Sequence, residues 1–163
     1  MALQRPGLQL HAAALACQAA RAAGLSDALR ARCPGTAVFG CSARAAAIET
    51  SKVFAKGFMH RHRIPTAAFH VLSSPAEADK LLCDPALAST PFVIKADGLC
   101  AGKGVTLCAD PAQARDAAQA ILATGASVIA EERLIGREAS CMALVDGEAV
   151  LMLPACEDHK TLL

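Results

Sequence analysis

Apolar and polar positions along this chain fall into short blocks with two different periods. Residues 8–32 are apolar at nearly every position, which predicts a helix without a clear face, broken by Cys33-Pro34-Gly35. Ala37-Val38-Phe39-Gly40 predicts a short strand, and Ser42 is placed to cap a second helix that runs, with a kink, through Ser51 to Arg61. A strand is expected over 64–72. Ser74-Pro75-Ala76-Glu77 then puts a capping serine, a proline at the first helical position and a glutamate at the third, so a helix starts there and ends near Asp84-Pro85. Pro91 to Lys95 and Val105 to Cys108 read as strands on either side of a glycine-rich loop. Asp110-Pro111-Ala112-Gln113 repeats the capping chemistry for a helix running to Ala123, and Ser127 to Ala130 is a strand leading to Glu131. Two further apolar runs, 139–145 and 148–153, flank Asp146-Gly147 and predict a hairpin.

Strand, helix, strand, loop, strand, helix, strand and hairpin, in that order, suit an α/β chain of the α+β kind, with helices on one face of a small sheet. The compact core is expected over about 64–153, with a labile region before Glu49. Aromatics make up only 3% of the chain and alanine inflates its apolar content, so that core should be thin. The formal net charge of +1 gives no global field for nucleic acid, and no uninterrupted apolar stretch approaches the ~18 residues of a membrane span. Eight cysteines contain no C-x-x-C pair, which removes support for a zinc knuckle; small buried hydrophobes in a reducing compartment are expected instead. No acidic residue precedes Asp27. That charge pattern is shared by organellar transit peptides and by plain alanine-rich helices; the cytoplasm is the expectation, an organelle the alternative.

The most informative segment is Val93-Ile94-Lys95-Ala96-Asp97-Gly98-Leu99-Cys100-Ala101-Gly102-Lys103-Gly104-Val105. Glycines let backbone N–H groups approach an anion with no Cβ in the way, and two lysines supply point charges for phosphates. The loop is not a Walker A motif: Gly104 stands where Ser or Thr belongs, and a strand rather than a helix follows. A hairpin loop with solvated lysines is the plain alternative. Lys95, at the end of a buried strand, favours an anionic partner over snorkelling.

The stretch resembles the nucleotide loop of the ATP-grasp enzymes, and among them the phosphoribosylamine–glycine ligase (glycinamide ribonucleotide synthetase) family. Further segments carry the likeness, in the family's order: Ser51-Lys52 with Phe54-Ala55-Lys56, Ile64-Pro65-Thr66-Ala67, Glu131-Glu132 with Leu134, Gly136 with Glu138, and Asp158-His159-Lys160. The resemblance implies ATP as nucleotide and Mg2+ as metal, with glycine and phosphoribosylamine as small-molecule substrates. It implies that Lys52, Lys95, Gly98, Gly102, Lys103 and Gly104 surround the phosphates. It further implies that Glu131, Glu132 and Leu134 form an adenine hinge, that Glu138 meets the ribose, and that Asp158, His159 and Lys160 lie toward the second substrate. A salt bridge from Glu138 to Arg133 or Arg137 is the competing reading of that residue. Asp158, His159 and Lys160 are consecutive on a predicted strand and cannot all face one side, so a literal catalytic triad is not expected.

On this resemblance, residues 1–50 correspond to an alanine-rich segment and a remnant of a preceding domain, and 51–163 to an ATP-grasp domain incomplete at its C-terminus. The family's magnesium ligands have no counterpart here, so the chain is expected to be an incomplete form of the ligase. A non-catalytic nucleotide-binding fragment and another ATP-grasp carboxylate–amine ligase are the alternatives.

Overall fold

A computed structural model of the chain describes residues 18–100 and 104–157. The chain divides between Arg133 and Leu134 into two units. The first contains α1 (Gln18–Ala22), α2 (Leu25–Arg32), α3 (Ala43–Thr50), α4 (Lys52–Arg61), β1 (Phe69–Leu72), α5 (Pro75–Leu82), a single 3-10 turn (Pro85–Leu87), β2 (Phe92–Ala96), β3 (Val105–Cys108), α6 (Pro111–Leu122) and β4 (Val128–Glu132). Its four strands form one antiparallel sheet in the order β1-β4-β2-β3.

The helix starts are set locally. Ser74 Oγ accepts from Glu77 N–H at 3.3 Å, while Glu77 reaches back to Ser73 N–H at 2.7 Å. Asp110 and Gln113 repeat the exchange at α6, with Gln113 N–H on Asp110 at 2.9 Å and Ala109 N–H on Gln113 at 3.3 Å. Each pair satisfies amides that the first helical turn would otherwise leave orphaned. The kink predicted near Ser51 is a true break. Ser51 ends α3 and its hydroxyl accepts from Phe54 N–H at 3.1 Å to start α4.

One face of the sheet carries the core. Leu72, Phe92, Ile94, Cys108, Val128 and Ala130 meet Ala78 and Leu82 of α5 and Ala114 and Ala118 of α6. Alanines on the helices let them approach the sheet closely. The larger strand side chains therefore carry most of the burial, each fully buried Ile or Val stabilising by about 1.5–3 kcal/mol. Helices α5 and α6 on one face of a small sheet match the predicted arrangement.

Several expectations need correction. Residues 37–40 form no strand: no strand of the sheet pairs with them, the Arg30 guanidinium donates to the carbonyls of Val38 and Gly40 instead, and Phe39 is exposed. The helix expected over 8–32 is interrupted before α2 by Gly24, whose φ of 82° is left-handed; residues 8–17 lie outside the described part. The core does not extend to residue 153, where all strands of the second unit are exposed. The cysteines are not generally buried hydrophobes: among the described ones Cys108 alone is buried, while Cys33, Cys83, Cys141 and Cys156 are exposed.

In the second unit β5 (Ala139–Ser140) pairs with β8 (Cys156–Glu157), and β6 (Ala143–Asp146) with β7 (Ala149–Met152). All four strands are exposed. The hairpin turn falls one residue later than expected, on Gly147-Glu148, because Asp146 pairs with Ala149. Gly147, at φ 57°, takes the first central position, where a II′ turn wants glycine.

Candidate functional site

Strand alternation puts the chemistry on the face opposite the core. With Phe92, Ile94 and Ala96 of β2 turned inward, Lys95 turns away, and in β4 Glu131 does the same beside Ala130. The register pairs Val93 with Glu131 and Lys95 with Ile129, so Lys95 and Glu131 are diagonal neighbours. Lys95 Nζ donates to Glu131 Oε2 at 2.8 Å. Helix α4 brings a second ammonium to the same oxygen: Lys56 Nζ lies 3.3 Å from Glu131 Oε2. Lys56 also donates to Thr66 Oγ1 at 2.7 Å and to Ala67 O at 3.5 Å, and stands 5.5 Å from the centre of the Phe69 ring. The Lys56 and Glu131 side chains are 9% and 6% exposed, that of Lys95 26%. Two buried opposite charges and a third at the rim leave one net positive charge, on the side that solvent reaches at Lys95.

The base of the glycine loop is clamped to the start of α4. Lys52 Nζ donates to Ala96 O at 2.9 Å and Gly98 O at 2.8 Å. Asp97 accepts from Val53 N–H at 3.1 Å and from the Ser51 hydroxyl at 3.1 and 3.2 Å, while its own amide donates to Ser127 O at 2.9 Å. A carboxylate at a helix N-terminus meets unpaired amides and the positive end of the dipole. Gly98 turns the chain with φ 89°. At Gly104 a Cβ would lie 2.6 Å from Cys100 Cβ, so the far end of the loop admits glycine alone without rearrangement.

Of the residues expected in the site, Lys95 and Glu131 are brought together, and Lys52, Gly98 and Gly104 lie in or against the loop. Gly102, Lys103, Asp158, His159 and Lys160 lie outside the described residues. Glu132 is held structurally: its carboxylate accepts from Ala68 N–H at 3.1 Å and its amide donates to Ala68 O at 3.0 Å. Arg133 N–H is likewise committed, to Pro91 O at 3.2 Å. Leu134 and Glu138 belong to the second unit and are exposed; there Arg137 is held bidentately by Glu157 at 3.0 and 3.1 Å. Sequence reasoning missed Lys56 and Asp97 as parts of this site. Lys56 stands one helical turn after Lys52, a spacing that shares a face, and Asp97 lies within the loop motif itself.

Among the described residues no three His, Cys, Asp or Glu side chains gather as a metal site. The two acids nearest the loop, Asp97 and Glu131, are spent on amides, a hydroxyl and lysines. The described residues therefore do not form a magnesium site. A cleft of about 780 Å³ lined by Arg44, Ile48, Phe54 and Phe58, among others, contains none of the lysine cluster. Among the described residues no helix is long and apolar enough to cross a membrane.

Residues 50–163 match the family model described as the phosphoribosylglycinamide synthetase ATP-grasp (A) domain, more than half of the chain. The chain belongs to this family. It is 45% identical over 142 residues to the phosphoribosylamine–glycine ligase of Caulobacter vibrioides, covering 84% of this chain and 32% of that one. The solved phosphoribosylamine–glycine ligase of Thermotoga maritima superimposes with a TM-score of 0.62 at 35% identity, over 72% of this chain and 31% of that one. D-alanyl-alanine synthetase A of Vibrio cholerae shares the fold, with a TM-score of 0.67 at 18% identity, over 82% of this chain and 40% of that one. The chain thus spans about a third of the length of the ligases it matches.

Proposed function

We propose that this chain binds ATP through the Lys95 rim and the glycine loop, as part of an ATP-dependent ligation of 5-phosphoribosylamine with glycine in purine biosynthesis. The observation that carries the reading is the placement of Lys95. It is a partly exposed ammonium at the end of a buried strand, beside a glycine loop, in a cluster with one uncompensated positive charge. Relatives named phosphoribosylamine–glycine ligase support the substrates. Phosphate roles for Gly102 and Lys103, which lie outside the described residues, rest on the family resemblance. Adenine, ribose and second-substrate roles for Glu131 to Leu134, Glu138 and Asp158 to Lys160 rest on the family resemblance. Glu131's side chain contributes charge to the lysine cluster, and the amides of Glu132 and Arg133 are already donated, so adenine would use other backbone groups. The chain would work in the cytoplasm, which suits the free cysteines among the described residues.

Charge-assisted contacts to phosphate at a wet site are worth about 1 kcal/mol each, so affinity should lie near the millimolar level, about 4 kcal/mol. Calorimetric titration of the full chain with ATP should show weak binding that Lys95→Ala abolishes. Unchanged binding by that variant would reduce the glycine loop to a turn. Glycine- and phosphoribosylamine-dependent release of ADP tests the ligation separately.

A further inference from the structure

Lys56 has no place in the phosphate-binding reading, yet it is the most deeply buried cation described. It reaches the same Glu131 oxygen that Lys95 uses, from the α4 side, with Thr66 and Ala67 fixing its remaining donors. If Lys95 alone faced Glu131, the two would form a closed neutral pair, and an incoming anion would have to break it. With Lys56 present the carboxylate is already neutralised from below. Lys95 can keep its 2.8 Å bond and still present its charge outward.

We propose that Lys56 is a positioning residue that neutralises Glu131 and so makes the Lys95 ammonium available to a polyphosphate. The idea rests on the ATP reading above and deepens it. It predicts that Lys56, which is too buried to touch a nucleotide, controls the preference for ATP over adenosine and not the affinity for adenosine itself.

The test measures ATP and adenosine affinities of the full chain by saturation-transfer NMR, with circular dichroism checking the fold. Lys56→Met should lower ATP affinity about tenfold, the scale of one charge-assisted contact, and leave adenosine unchanged. Adding Glu131→Gln to it should restore the preference, because no carboxylate then competes for Lys95. Equal loss of both ligands in Lys56→Met, or full retention of ATP, overturns the proposal. If Lys56→Met does not fold, the double variant decides, since replacing both members of a buried pair is often tolerated. A double variant that fails to fold or fails to prefer ATP overturns the proposal as well. Failure of the underlying reading looks different: the unmodified chain would show no preference for ATP, or Lys95→Ala would keep it.

Discussion

Strands β2 and β7 are almost equally apolar, Phe-Val-Ile-Lys-Ala against Ala-Val-Leu-Met, yet they meet opposite fates. In β2 every second residue is buried, Phe92 and Ile94 in the core shared with α5 and α6; in β7 all four are exposed, Val150, Leu151 and Met152 each by more than 60%. An apolar strand is an offer of surface, and it becomes core only where another layer lies on it. The single lysine in β2 makes the complementary point. It sits on the face that α5 and α6 leave uncovered, so the rule that builds the core also delivers the charge.

The contrast can be broken most directly by truncation. Ile94→Ala empties a fully buried site and should cost about 2–5 kcal/mol, whereas Val150→Ala should cost less than about 0.5 kcal/mol. Urea unfolding of the two variants compares them, and equal losses would mean that the hairpin is as well packed as the sheet. A smaller effect is expected from adding one methyl group. Gly104→Ala would drive a Cβ into Cys100 and should destabilise by about 1–3 kcal/mol, while Gly136→Ala, in the exposed unit, meets nothing within 4 Å. Thermal melts should separate the two, and a harmless Gly104→Ala would show that the loop can move aside.

The mildest probe is thiol labelling. Burial, with the nearby Asp110 charge adding to it, pushes the Cys108 thiol above its ordinary value. Folding therefore favours its protonated form, and that small contribution to stability is present below the unfolded pKa and lost as pH rises through the folded one. Iodoacetamide, which needs the thiolate, should modify exposed Cys141 and Cys156 first and Cys108 only on unfolding. Mass spectrometry of a labelling time course reads the order.

Capping chemistry made the starts of α3, α5 and α6 legible from sequence, because each rests on contacts between residues four positions apart or fewer; the break at Ser51 read only as a kink. Lys95 was legible because strand period and glycine loop agree. What escaped depended on distant partners. Residues 37–40 look like a strand until no neighbour pairs with them. Glu131 reads as hinge until β1, β2 and α4 converge on it. The exposure of 139–153 cannot be read from its composition, since composition records apolarity and not what covers it.

Lys52 has a consequence for the loop that its charge alone does not suggest. A trans peptide unit is rigid and its C=O and N–H point in opposite directions. With the Gly98 carbonyl drawn to Lys52 Nζ, the N–H of Leu99 is turned the other way, away from the lysine. A cation on one side of this peptide thus sets the direction of a donor on the other through the stiffness of one amide plane. That donor's direction is fixed in advance, so that part of the cost of orienting the loop is met when the chain folds.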